Sequence, residues 1–194
     1  TSGLKSPVYI DCRKLISYPK ARNTLIKFFS EIIIKNIGID NVESLVGGET
    51  AGIPFAAFLA SELNLPMHYV RKKPKGFGID ANIEGNSIKD KKVVLIEDLT
   101  TDGGSKIKFC DSIRKAGAIV EETVVLFYYN IFEDVPDKLK NSGINLNYLA
   151  CWWDILNYCK EVNSIIDKKT INQIENFLIS PIEWSNGFLI KRNS

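Results

Sequence analysis

The sequence predicts an α/β domain with a mostly parallel central sheet flanked by helices, and three observations point to it. Short apolar runs alternate along the chain with helix-length amphipathic segments. Three of the connections carry glycine, charge or hydroxyl groups at the carboxyl ends of expected strands, where open α/β sheets bind ligands. The 194 residues are 45% hydrophobic and 25% charged, with 13 Gly and 7 Pro. That composition suits one compact domain spanning 1–194, able to bury about 70% of its extended surface without disulfide staples. No internal repeat and no linker divides it.

From Pro19 to Gly38, Ala21, Leu25, Phe28, Phe29, Ile32, Ile33 and Ile37 mark one face of a helix that Gly38 stops. Val42 to Val46 reads as a short strand running into the loop Gly47 to Gly52. Ile53 to Leu63 reads as a helix with Pro54 tolerated in its first turn. A second strand, Pro66 to Val70, leads into a cationic stretch without apolar period, Arg71-Lys72-Lys73-Pro74-Lys75-Gly76-Phe77-Gly78. Lys92 to Glu97 is a strongly apolar strand followed by a loop, Asp98 to Ser105. A helix then runs from about Ser105 to Ala116 and stops at Gly117. Val120 to Tyr129 is the next strand. Pro136 to Ser142 and Trp153 to Lys160 read as helices around a strand near Ile144 to Leu149. The tail from Lys169 to Trp184 reads as helical, with a capping-box pattern at Ser180-Pro181-Ile182-Glu183.

The formal charge of +2 is too balanced to argue for nucleic acid, and no apolar run reaches about 18 residues, so no membrane span is expected. Cys12, Cys110, Cys151 and Cys159 form no C-x-x-C pair, and His68 is the one histidine, which argues against structural zinc. Without a signal-peptide pattern, reduced structural thiols and a cytoplasmic location are expected. The sequence starts on Thr1 rather than Met, and a few preceding residues are expected. Trp152 and Trp153 suit core or interface packing, and His68 a packed or exposed position rather than catalysis.

The chemistry concentrates in Val93-Val94-Leu95-Ile96-Glu97-Asp98-Leu99-Thr100-Thr101-Asp102-Gly103-Gly104-Ser105. An apolar strand delivers two carboxylates to its end, and a loop of hydroxyls and glycines opens a helix. Backbone N–H groups at a helix start suit a phosphate, and Gly103 and Gly104 allow close approach. The carboxylates repel phosphate, so they must face sugar hydroxyls or a hydrated Mg²⁺. A ligand with both a phosphate and vicinal hydroxyls fits. The pattern is neither a Walker P-loop nor a dinucleotide fingerprint. The cationic stretch offers charges to neutralise a departing anion and glycines about which to close.

These residues resemble the 5-phosphoribosyl-1-pyrophosphate (PRPP) binding motif of type I phosphoribosyltransferases. The resemblance implies that fold, with Glu97 and Asp98 on the ribose hydroxyls and Thr100 to Ser105 around the 5-phosphate. Leu99 lies within the motif. The run YVRKKPKGFG resembles the catalytic loop of orotate phosphoribosyltransferases, and TSGLKSPVYIDCR resembles their N-terminal segment. By that likeness Arg71, Lys72 and Lys75 contact pyrophosphate across a homodimer interface. Gly48, Glu49 and Thr50 lie in the pyrophosphate loop. Residues 1–18 and part of the C-terminal region form a hood over the base, and Mg²⁺ arrives bound to PRPP rather than to direct protein ligands.

The implied reaction joins orotate to the phosphoribosyl group of PRPP, with Arg71, Lys72, Lys75 and Asp98 as the catalytic set. Thr101 matches a family contact to the pyrimidine, and Tyr9 and Tyr129 are further candidates for it. Three positions depart from the family pattern. Thr1 stands for a Lys, Phe77 for a His or Tyr, and Tyr128-Tyr129 for an Asp-Arg pair whose Arg holds orotate. Two other readings stay open: transfer to a purine, and a PRPP-binding regulator without turnover.

Overall fold

The computed structural model describes residues 5–73, 82–162 and 166–190. The first helix, α1 (Pro19–Ile32), opens on Pro at its first position, where a missing N–H costs nothing. Ile26, Phe29 and Ile33 point inward, and a single π-helical turn, Ile33–Ile37, ends at Gly38 with φ +85°. Strand β1 (Ser44–Gly48) is buried along its whole length, as a central parallel strand covered on both faces must be. Helix α2 (Gly52–Leu63) follows it and ends on Asn64 in the left-handed conformation. Then come β2 (Met67–Val70), β3 (Ile83–Glu84), β4 (Lys92–Thr100), α3 (Gly104–Lys115), β5 (Ile119–Tyr128), α4 (Val135–Asn141), β6 (Asn145–Cys151), α5 (Trp152–Val162), α6 (Lys168–Ile179) and α7 (Pro181–Ile190).

Among the described residues the strands form one sheet in the order β3-β2-β1-β4-β5-β6, parallel at every pairing except β2 with β3. One apolar cluster packs α1, α2, α5 and α6 on one face, centred on Phe29, Phe55, Phe127 and Trp152. A second packs α3 and α4 on the other face, through Phe109, Ile113, Val135 and Leu139. The result is the three-layered α/β architecture that the element alternation predicts, and it brings the ends of β1, β2 and β4 to one edge. No helix among the described residues is long and apolar enough to cross a membrane.

The structure moves several boundaries. The third strand does not stop at Glu97: β4 stays paired with β5 out to Thr100 opposite Tyr128, and the Tyr129 N–H donates to the Thr100 carbonyl at 2.9 Å. Asp98, Leu99 and Thr100 are therefore strand residues rather than loop. The first strand starts at Ser44, because the Val42 N–H closes a 3-10 turn onto Ile39. Strand β3 was not expected, since two residues held by register against β2 leave no periodic signature. The tail is two helices: Ser180 has φ −140°, and Pro181 starts afresh with Trp184 edge-on to Phe177 at 5.6 Å.

Residues 5–18 wrap the end of the sheet. The Lys5 N–H donates to Ser185 Oγ of α7 at 2.9 Å, and Val8 and Ile10 pack on the first cluster. Cys12, Cys110, Cys151 and Cys159 are all buried free thiols. His68 is buried too, with Nδ1 2.7 Å from Ser44 Oγ. Because that cluster positions the β1 loop through α2, Phe55→Ala is expected to destabilise the protein by about 3–5 kcal/mol, read from the urea denaturation midpoint.

Candidate active site

Strand geometry decides the acid pair first. Consecutive residues of a strand point to opposite faces, so Glu97 and Asp98 diverge. Glu97 turns toward α3, where its carboxylate meets the Lys106 ammonium at 2.5 Å, with side chains 7% and 2% exposed. Lys106 Nζ also donates to Ser105 Oγ at 3.2 Å. On its other side the Glu97 carboxylate fills space that only glycine leaves open. A Cβ on Gly48 would collide with Oε1, and one on Gly52 would come within 2.8 Å of the same atom. Burial raises the Glu97 pKa to about 7. Lys106 and Lys72 pull it down, and Asp98 adds to the rise. Asp98 accepts the Leu99 N–H at 2.8 Å and faces the N-terminal segment. There burial, then the Asp98 charge, pushes the Cys12 thiol up to about 12.

Beyond β4 the chain makes a tight turn into α3. Gly103 has φ +72°, and a Cβ there would press on Leu139 at 3.0 Å. Asp102 accepts the Gly104 N–H at 3.0 Å, a bond that holds its carboxyl below the usual range, while Lys138 of α4 donates to the Asp102 carbonyl at 2.9 Å. The Ser105 and Lys106 amides follow at the helix start, where intrahelical acceptors are lacking. Thr101 and Gly104 are half-buried and Ser105 exposed. Leu99 packs into the first cluster, and Thr100 is buried with its hydroxyl unpartnered among the described residues.

The other two loops meet this edge. Glu49 donates its N–H to the Val70 carbonyl at 2.9 Å, and its carboxylate accepts the Lys72 N–H at 2.7 Å, so the β1 and β2 loops are tied together. The peptide between Glu49 and Thr50 is cis. Arg71 bonds through its N–H to Asn82 at 2.7 Å and through its guanidinium to Glu84 at 3.1 Å; among the described residues its buried Nε has no partner. The Lys72 side chain is exposed. Lys75, with Gly76, Phe77 and Gly78, lies outside the described residues, as do Thr1 to Leu4.

The candidate pyrimidine contacts separate. Tyr129 stands edge-on to Phe127 and Trp152, with centroids at 5.9 and 5.8 Å, and burial raises its pKa while the nearby Ile10 backbone lowers it. Tyr128 lies on the opposite face against Tyr148 at 5.3 Å, with its hydroxyl buried and unpartnered among the described residues. Tyr9 is 74% exposed, and its hydroxyl accepts from Arg13 at 3.2 Å. Sequence reasoning missed Lys106, Lys138 and the tie made by Glu49. Lys106 left a readable signal: it heads the inward positions Lys106, Phe109, Cys110 and Ile113 of α3, the spacing of an apolar face.

The chain matches the phosphoribosyl transferase domain family over residues 18–161. It is 50% identical over 185 residues to the orotate phosphoribosyltransferase of Sinorhizobium fredii, covering 95% of this chain and 79% of that protein. Among solved structures, the orotate phosphoribosyltransferase of Aeropyrum pernix is 30% identical with a TM-score of 0.73, covering 83% of this chain and 88% of that one. The UMP synthase of Leishmania donovani is 26% identical with a TM-score of 0.79; the match covers 92% of this chain and only 37% of that longer one.

The raised Glu97 pKa carries a pH signature. The folded state holds the Glu97 proton more tightly than the unfolded chain, whose carboxyl titrates near 4.5. This group's contribution is therefore fully present below about pH 4.5 and is lost as pH rises toward 7. Relative to Glu97→Gln, the melting temperature of the unmodified protein should fall across that window. Parallel profiles for the two proteins would remove the effect.

Proposed function

The chain belongs to the orotate phosphoribosyltransferase family, and from that membership we propose that it transfers the phosphoribosyl group of PRPP to orotate. The products are orotidine 5-phosphate and pyrophosphate, a step in making pyrimidine nucleotides. The observation that carries the reading is the convergence of three loops at one sheet edge: Gly48 and Glu49 after β1, Arg71 and Lys72 after β2, and Glu97 to Ser105 along and beyond β4.

In the reaction the bond from the ribosyl anomeric carbon to pyrophosphate breaks, and a bond from that carbon to the orotate ring nitrogen forms. The nitrogen's proton leaves with the departing side. Positive charge develops on the sugar and negative charge on the pyrophosphate, so the protein's task is electrostatic. Glu97 and Asp98 hold the ribose hydroxyls, and Asp98 passes the nitrogen's proton to the departing pyrophosphate. The turn Thr100 to Ser105 binds the 5-phosphate through amides and hydroxyls, Asp102 shaping it from within. Gly48, Glu49 and Thr50 line the pyrophosphate, whose charge Arg71, Lys72 and Lys75 neutralise. Thr101, Tyr9 and Tyr129 stand on the base side.

Mg²⁺ is the metal this reading implies. A hard cation that takes its ligands from substrate phosphates and water would arrive bound to PRPP and needs no direct protein ligand. No cluster of three acidic, His or Cys side chains among the described residues would hold it alone. When bound with PRPP, the ion neutralises pyrophosphate charge. The four buried free thiols support a cytoplasmic setting. The assembly is a homodimer with shared sites, and Phe28 on α1 and Phe58 on α2 are large apolar side chains left exposed to a partner.

The test is loss of orotate absorbance with PRPP and Mg²⁺. Consumption of a purine instead would move the chain to another base, and PRPP binding without turnover would make it a regulator. Lys75→Ala is expected to lower kcat by about a hundredfold or more with an unchanged melting temperature; unaltered turnover would take this loop out of the reaction. Light scattering should return twice the chain mass, and a monomer that turns over at full rate would refute shared sites.

A further inference from the structure

A lysine in the first turn of a helix is opposed by the helix dipole, and a fully buried one is costly unless paired. Lys106 goes against the first preference and meets the second only through its pairing with Glu97. It lies at the start of α3 with 2% of its side chain exposed. Its ammonium makes two contacts, to Glu97 Oε2 at 2.5 Å and to Ser105 Oγ at 3.2 Å. Both partners belong to the segment that the reading above assigns to the sugar phosphate, and neither contact requires a ligand.

The contacts have directional consequences. With Oε2 held by Lys106, the Glu97 carboxylate is rotated so that Oε1 faces Gly48 and Gly52, at the border of the pyrophosphate loop. An ammonium can only donate, so Ser105 Oγ is the acceptor in its bond. The serine's own proton is then free to point away from the lysine, toward the exposed side of the turn, where a phosphate oxygen would accept it. One buried cation thereby fixes the carboxylate that abuts Gly48 and Gly52 and leaves the Ser105 hydroxyl proton free for a phosphate.

We propose that Lys106 is a positioning residue for the phosphoribosyl substrate, orienting Glu97 and Ser105 from beneath without touching the ligand. The inference rests on the PRPP reading above. Lys106→Met should raise the KM for PRPP, and the Kd for ribose 5-phosphate, by at least about tenfold, leaving the KM for orotate in place. Because Met strands a buried carboxylate, the substitution is also made in a Glu97→Gln background, where no charge is stranded. There Lys106→Met should recover melting temperature relative to Glu97→Gln alone, yet weaken ribose 5-phosphate further because the Ser105 bond is gone. Ribose 5-phosphate affinity unmoved in both backgrounds, with melting temperature alone shifting, would overturn the proposal. If the unmodified protein binds neither PRPP nor ribose 5-phosphate, the substrate reading falls and takes this inference with it. Unmodified protein that binds both while the variants match it sinks the role of Lys106 alone.

Discussion

Glu97 and Lys106 bring opposite charges to within 2.5 Å in a place where both are almost fully withdrawn from water. Exposed pairs such as Lys35–Glu31 contribute little, because solvent screens them. A buried pair behaves differently: the attraction only offsets the loss of hydration, and removing one partner costs about 3–5 kcal/mol. Such a pair cannot drift. It fixes the end of β4 against the first turn of α3, and it obliges the chain to place glycine at 48 and 52, where a side chain would strike the carboxylate or the β4 backbone. That one contact sets how closely the β1 loop approaches the end of β4.

The turn between β4 and α3 is braced from outside as well. Leu139 closes over Gly103, and Lys138 reaches the Asp102 carbonyl. Both come from α4, a seven-residue helix otherwise remarkable only for its shortness. The phosphate site proposed for this turn needs its amide donors aligned before the ligand arrives, since ordering them on binding would cost affinity. Packing and a lysine on the far side of the turn supply that alignment.

Beside the N-terminal segment, an aromatic cluster includes Tyr129, one of the two residues that stand where the resemblance implies an Asp-Arg pair. Tyr129, Phe127 and Trp152 meet edge to face, and Ile10 of the N-terminal segment packs on the same apolar cluster. That segment is held again at Lys5 by Ser185 of α7. The C-terminal helices, for which the sequence offers no motif, thus brace the N-terminal segment. Tyr129 packs on the first cluster, whereas Tyr128 faces the other layer against Tyr148.

Sequence alone determined the α/β alternation, the sheet's mostly parallel sense, the two faces of α1 and the glycine-rich turn after β4, because each follows from local periodicity or from backbone freedom at named residues. It also supplied the family, through motifs that need only their order along the chain. Tertiary structure decided what those patterns leave free. The pairing of β4 with β5 carried the acids onto the strand, where they diverge, register created β3, and packing against α3 gave Lys106 its partner. Such contacts join residues that no local period relates, and their energies depend on burial, which exists only once the layers have closed.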